Sequence, residues 1–142
     1  RLNGGPMDYT PGIFVMDLAS VTDCRNNSWV NATIANQLAL YVTMSSPLQM
    51  AADLPEHYAK FMDAFQFIKD VDIDWIQSKY LLAEPGEYVV VARQGKKKGQ
   101  WFCGGVTDDN ARTLEVPMNF LEPGKTYEAT FSFSSPAAAT VK

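Results

Sequence analysis

The stretch from Thr33 to Glu56 constrains this chain more than any other. Ile34, Leu38, Tyr41 and Val42 recur at helical spacing and share one face. Ala35, Ala39, Leu40 and Met44 widen that face until only a narrow polar stripe remains, near Thr33, Asn36 and Thr43. A helix that apolar is surrounded by protein on most sides. Nothing in the rest of the chain reads as large enough to cover it, so the expectation is a piece of something longer. Asn31 or Thr33 is placed to cap its start. Pro47 ends it, because proline lacks an amide hydrogen and pushes Ser46 out of the α region. Leu48 to Ala52 is short and apolar and predicts a buried strand. Asp53 stands at its exit, before a new helix. Buried helix, buried strand, carboxylate, helix: this order predicts a parallel α/β layer, whose sites gather at the carboxyl ends of strands.

Asp53-Leu54-Pro55-Glu56 reads as a helix start, with Asp as N-cap, Pro in the first turn and Glu returning the bond. Asp53 therefore carries two readings, a cap or a residue lining a site. Tyr58, Phe61, Met62, Phe65 and Ile68 follow as a regular apolar stripe opposite Lys60, Asp63, Gln66 and Lys69. The stripe predicts core packing. His57 is the only histidine, and the sequence identifies no partner that would make it a base.

Before the helix, Thr10-Pro11-Gly12 predicts a tight turn. Asp8 and Tyr9 precede it. A carboxylate and a phenol on a rigid loop suit contact with a polyol, and Asp8 equally suits bonding to nearby backbone amides. Residues 20–31 are polar and irregular and predict a surface loop.

From Val71 the period changes to two. Val71, Ile73 and Trp75 alternate with Asp72 and Asp74, which predicts extended chain. Glu84-Pro85-Gly86-Glu87 is a turn. Tyr88 to Arg93 is apolar on both faces and predicts a central strand. Gly95 to Gly99, with three lysines between, predicts a solvated hairpin tip, and Gln100 to Val106 the returning strand. Gly104 and Gly105 predict a bulge or a close backbone approach. Thr113–Met118 and Thr126–Phe133 predict further strands, the second with strict alternation of Tyr127, Ala129, Phe131 and Phe133 against polar residues. Short strands with such turns indicate an antiparallel sandwich or barrel.

Taken whole, 142 residues suit one domain, or one small domain and part of another. The first residue is Arg1, which again suggests a piece of a longer product. A net charge of −4 gives no reason to expect nucleic acid. No apolar run approaches the roughly 20 residues needed to cross a bilayer. Cys24 and Cys103 are compatible with one bridge or with two thiols. Cysteine and histidine are too sparse for a zinc site.

Several runs resemble the carboxyl-terminal end of glycoside hydrolase family 97, bacterial α-glucosidases and α-galactosidases. They are Gly-Gly-Pro-Met-Asp-Tyr-Thr-Pro-Gly-Ile-Phe (4–14), Ala-Asn-Gln-Leu-Ala-Leu-Tyr-Val-Thr-Met (35–44) and Ser-Pro-Leu-Gln-Met-Ala-Ala-Asp-Leu-Pro-Glu (46–56). Asp63–Asp70, Glu87-Tyr88, Ala92-Arg93 and Ala111–Leu114 extend the likeness, which covers about residues 4–131. The resemblance implies an α+β fragment. Residues 1–72 would be the end of a (β/α)8 catalytic barrel, with Leu48–Ala52 its last strand and Pro55–Lys69 its last helix. Residues 73–142 would be a carboxyl-terminal antiparallel β domain. It implies that the catalytic carboxylates and calcium ligands of the parent lie upstream, so no residue here is assigned a catalytic or metal-binding role. It also implies an oligosaccharide substrate for the parent and a periplasmic location. With no nucleic acid or membrane partner expected from charge and hydropathy, this piece is expected to pack on barrel elements or a dimer mate. Asp8, Tyr9 and Asp53 become candidates for the rim of the sugar pocket. The loop at 20–31 and the chain after Phe131 depart from the family pattern. The alternative is a free-standing, non-catalytic carbohydrate-binding or interaction module.

Overall fold

The computed structural model describes residues 9–18, 29–44 and 46–132. Asp8, Cys24, most of the 20–31 loop and the tail from Phe133 lie outside the described residues. The elements in order are α1 (Ile34–Thr43), α2 (Pro55–Tyr58), α3 (Met62–Asp70), β1 (Trp75–Glu84), β2 (Tyr88–Gly95) and β3 (Trp101–Thr107). The three strands form one antiparallel sheet with β2 in the middle. Its apolar, β-branched sequence put it there: Val90, Val91, Ala92 and Arg93 are all buried.

The helix α1 starts where expected. The Thr33 side chain accepts the Asn36 N–H and caps the first turn. No residue from Ile34 to Met44 is exposed. The expectation that nothing in the chain could cover this helix is overturned. The sheet lies against it, and Phe14, Tyr58, Phe65, Phe67 and Ile68 pack on the rest. Close approach is possible because Gly104 has no side chain. A Cβ there would stand 2.9 Å from the Ala39 carbonyl oxygen and 2.9 Å from the Val42 Cβ. Tyr41 and Val42 fill the interface at 1% exposure each.

The single helix expected over 55–69 is two. Phe61, at φ −137° and ψ 53°, interrupts it, and Phe14 sets its ring edge-on to both Tyr58 and Phe61 at the break. Tyr58 is buried and stacks on Phe65, whereas Phe61 and Met62 are exposed. Only part of the apolar stripe therefore reaches the core.

Leu48–Ala52 is not a buried strand. It makes one parallel bridge, Tyr9 to Gln49, and Leu48 is 52% exposed. An apolar run becomes a buried strand only with neighbours on both edges and cover on both faces. The strands expected at 113–118 and over 126–132 do not form either, so among the described residues the β part is one three-stranded antiparallel sheet. Alternation specifies a face, but a strand also needs a ladder partner. Residues 112–118 instead run without regular structure into a turn, where the Leu121 N–H donates to the Met118 carbonyl at 3.0 Å and Phe120 is buried against Trp101.

At the hairpin tip, Lys96 Nζ sits 3.0 Å from an Asp74 carboxylate oxygen in an exposed pair. The buried Asp72 carboxylate accepts the Lys97 N–H at 2.9 Å. Among the described residues no helix is long and apolar enough to cross a membrane.

Candidate functional site

The polar network of this chain gathers where the 9–15 segment lies beside residues 49–53. Tyr9 bridges Gln49, and the Ala52 N–H donates to the Pro11 carbonyl at 3.1 Å. Asp53 then reaches across. Its Oδ2 accepts the N–H groups of Phe14 and Val15 at 2.7 and 2.9 Å. Its Oδ1 accepts the Leu54 N–H at 2.8 Å and meets His57 Nδ1.

This corrects the capping reading of Asp53. The N-cap of α2 is Leu54, with no side-chain cap, and one carboxylate oxygen, Oδ2, goes to a loop nearly forty positions away in sequence while Oδ1 stays with Leu54 and His57. Burial alone would raise its pKa. The His57 contact and the three backbone N–H groups outweigh that and hold it below the ordinary carboxylate range. Four donors occupy both oxygens, so Asp53 has little acceptor capacity left for another ligand.

Two phenols complete the clamp. The Tyr58 hydroxyl donates to the Gly12 carbonyl at 2.7 Å and accepts the Asp53 N–H at 2.9 Å. The Tyr41 hydroxyl lies 3.0 Å from the Pro11 carbonyl oxygen and 2.8 Å from that of Met50, so its one proton goes to one or the other. Burial, then the neighbouring Tyr58 and Tyr9 phenols, push the Tyr41 pKa well above the usual range, and the group remains a donor. Buried Gln37 accepts the Gly12 N–H at 2.9 Å. Gly12 itself has φ 97°, a conformation that L side chains rarely adopt, and the Tyr41 hydroxyl fills the space a Cβ would need.

Of the sequence candidates, then, Tyr9 and Asp53 lie on adjoining segments, and Asp8 is outside the described residues. Tyr9 is half-buried, and burial raises its pKa. The sequence reading missed the pairing of His57 with Asp53. The four-residue spacing was the available signal. It gave no hint that Tyr41, Tyr58 and Gln37 turn their polar ends to one loop. Among the described residues no group of three acidic, histidine or cysteine side chains is placed to hold a metal ion.

The same chain has clear relatives. Residues 74–140 match the family described as Glycosyl-hydrolase 97 C-terminal, oligomerisation. A retaining alpha-galactosidase of Bacteroides thetaiotaomicron is 40% identical over 133 residues, which is 92% of this chain and 19% of that protein. The chain belongs to glycoside hydrolase family 97. A probable retaining alpha-galactosidase of Streptomyces bingchenggensis is 35% identical over 80% of this chain and 16% of its own length. A family 97 enzyme from Pseudoalteromonas sp. strain K8, solved in complex with panose and with acarbose, matches with a TM-score of 0.76 and 47% identity, over 84% of this chain and 19% of that one. The chain thus spans about a fifth of the length of these family 97 relatives. The family match begins one residue before β1 and takes in the whole sheet.

Proposed function

We propose that this chain is the carboxyl-terminal part of a family 97 α-glycosidase, that residues 9–70 help to close its catalytic barrel, and that residues 74–140 serve assembly between copies. The observation that carries the reading is 40% identity to a retaining alpha-galactosidase across 92% of this chain. Barrel closure is supported by Leu48, Met50 and Leu54, which leave apolar side chains uncovered along the segment with the parallel bridge to Tyr9. The substrate is an α-linked galactoside or glucoside. The relatives' names favour galactose, and the panose and acarbose complexes favour glucose. The catalytic carboxylates, and calcium if the parent uses it, belong to other parts of the parent. Asp8 and Tyr9 stand at the pocket rim in this reading, and Asp53 acts by holding their loop. The parent works in the periplasm.

The test is hydrolysis of an aryl α-galactoside and an aryl α-glucoside by the full-length parent and by this chain alone. The parent is expected to turn over one of them and the chain neither. Turnover by the chain alone would overturn the reading. So would an intact mass near 15.8 kDa for the product made in the source cell, which would favour a free-standing binding module.

A further inference from the structure

We propose that the outer edge of β1 is where two copies of this chain meet, strand beside strand and antiparallel about a two-fold axis. The proposal rests on the reading of residues 74–140 as an assembly segment and names its surface. β1 is a sheet edge: it pairs with β2, and among the described residues no other strand lies beside it. An open edge is a template for another strand, and proteins usually blunt it with charge, cover or shortness. This one is ten residues long and carries Ile76 and Tyr80 at 58% and 59% exposure. Alongside, Lys79, Tyr80 and Leu81 border an open depression of about 430 Å³ with Pro117 and Asn119, and Met118 between these two is exposed as well.

The strand is also self-complementary, which a two-fold contact demands. Lys79 lies opposite Ala92 and Glu84 opposite Tyr88, so the bulge between Tyr80 and Leu82 puts Lys79 and Glu84 on one face of the sheet. Tyr80 and Ala83, opposite Val91 and Val89, share the other face. An antiparallel pair can therefore set Lys79 of one copy opposite Glu84 of the second, and Tyr80 opposite Ala83, with these four side chains on matching faces. Leu81 and Leu82 then fall at the centre. The register that sets Lys79 against its own symmetry mate is disfavoured by like charge. A second copy of this chain is the partner this pattern fits.

The experiment is sedimentation equilibrium on the chain and on three variants, Lys79→Glu, Glu84→Lys and the two together, each checked for its fold by circular dichroism. The wild type is expected to be a dimer. Each single variant places like charges opposite at two symmetric positions and weakens association by about tenfold, and the double variant restores it. A dimer unmoved by all three variants would overturn the surface and leave assembly standing. A monomeric wild type would overturn assembly and the surface together. Failure of the double variant to rescue Lys79→Glu would also overturn the proposal, assigning that loss to the contact of Lys79 with the Trp101 ring.

Discussion

Arg93, in the central strand, donates its Nε–H to the carbonyl of Val42 in the last turn of α1 at 2.6 Å. Helix ends leave carbonyls without partners, and this one is supplied by a side chain from the sheet. Nη1 donates to Ser78 Oγ at 2.6 Å, Nη2 lies 3.5 Å from the Thr43 carbonyl oxygen, and the guanidinium sits over the Trp75 ring. Arg93 is 5% exposed, so helix, two strands and an aromatic ring meet on one buried cation.

Replacing Arg93 by Lys keeps the charge and loses the planar fork. The expected cost is about 2 kcal/mol in urea unfolding, because buried acceptors lose their donors. Arg93→Ala is expected to cost more. Hydrogen exchange at the carboxyl end of α1 should rise in both.

Gly104→Ala forces a methyl group against the α1 backbone and Val42, and is expected to destabilise by about 1–3 kcal/mol. Gly105 is the control. A Cβ there meets Val90 Cγ2 at 3.6 Å, an ordinary contact, so Gly105→Ala is expected to stay within about 0.5 kcal/mol of wild type. Thermal melts of the two variants measure the difference.

Asp53 gives the chain an acid-sensitive joint. Its pKa is lower folded than unfolded, so its contribution is complete above the ordinary value of 3.8 and is lost as pH falls through the folded value. Asp53→Asn is expected to cost about 1–3 kcal/mol at neutral pH and to flatten the fall in stability on acidification. Urea titrations across the acid range measure both. An acid limb identical to wild type would assign the sensitivity to other carboxylates.

The exposed apolar residues Leu48, Met50, Leu54 and Met62 predict that the isolated chain binds an environment-sensitive apolar dye. Leu48→Ser with Met50→Ser is expected to reduce the signal without lowering the melting temperature, since neither side chain is buried.

Local chemistry fixed much of this protein in advance. Thr33 and Pro47 bounded α1, Glu84–Glu87 made a turn, and the β-branched run from Tyr88 became the middle strand, because caps, prolines and side-chain period act over a few residues. The family was legible too, in unbroken runs of sequence. Tertiary structure alone decided what covers α1, because Gly104 and Arg93 lie more than fifty residues from the helix turns they meet. It also decided that the periodic segments at 113–118 and 126–132 are not strands, since alternation is local but a ladder needs a partner. Asp53 shows the same division. Its sequence neighbours suggested a cap, and the backbone of Phe14 and Val15, brought alongside by the fold, claimed its carboxylate.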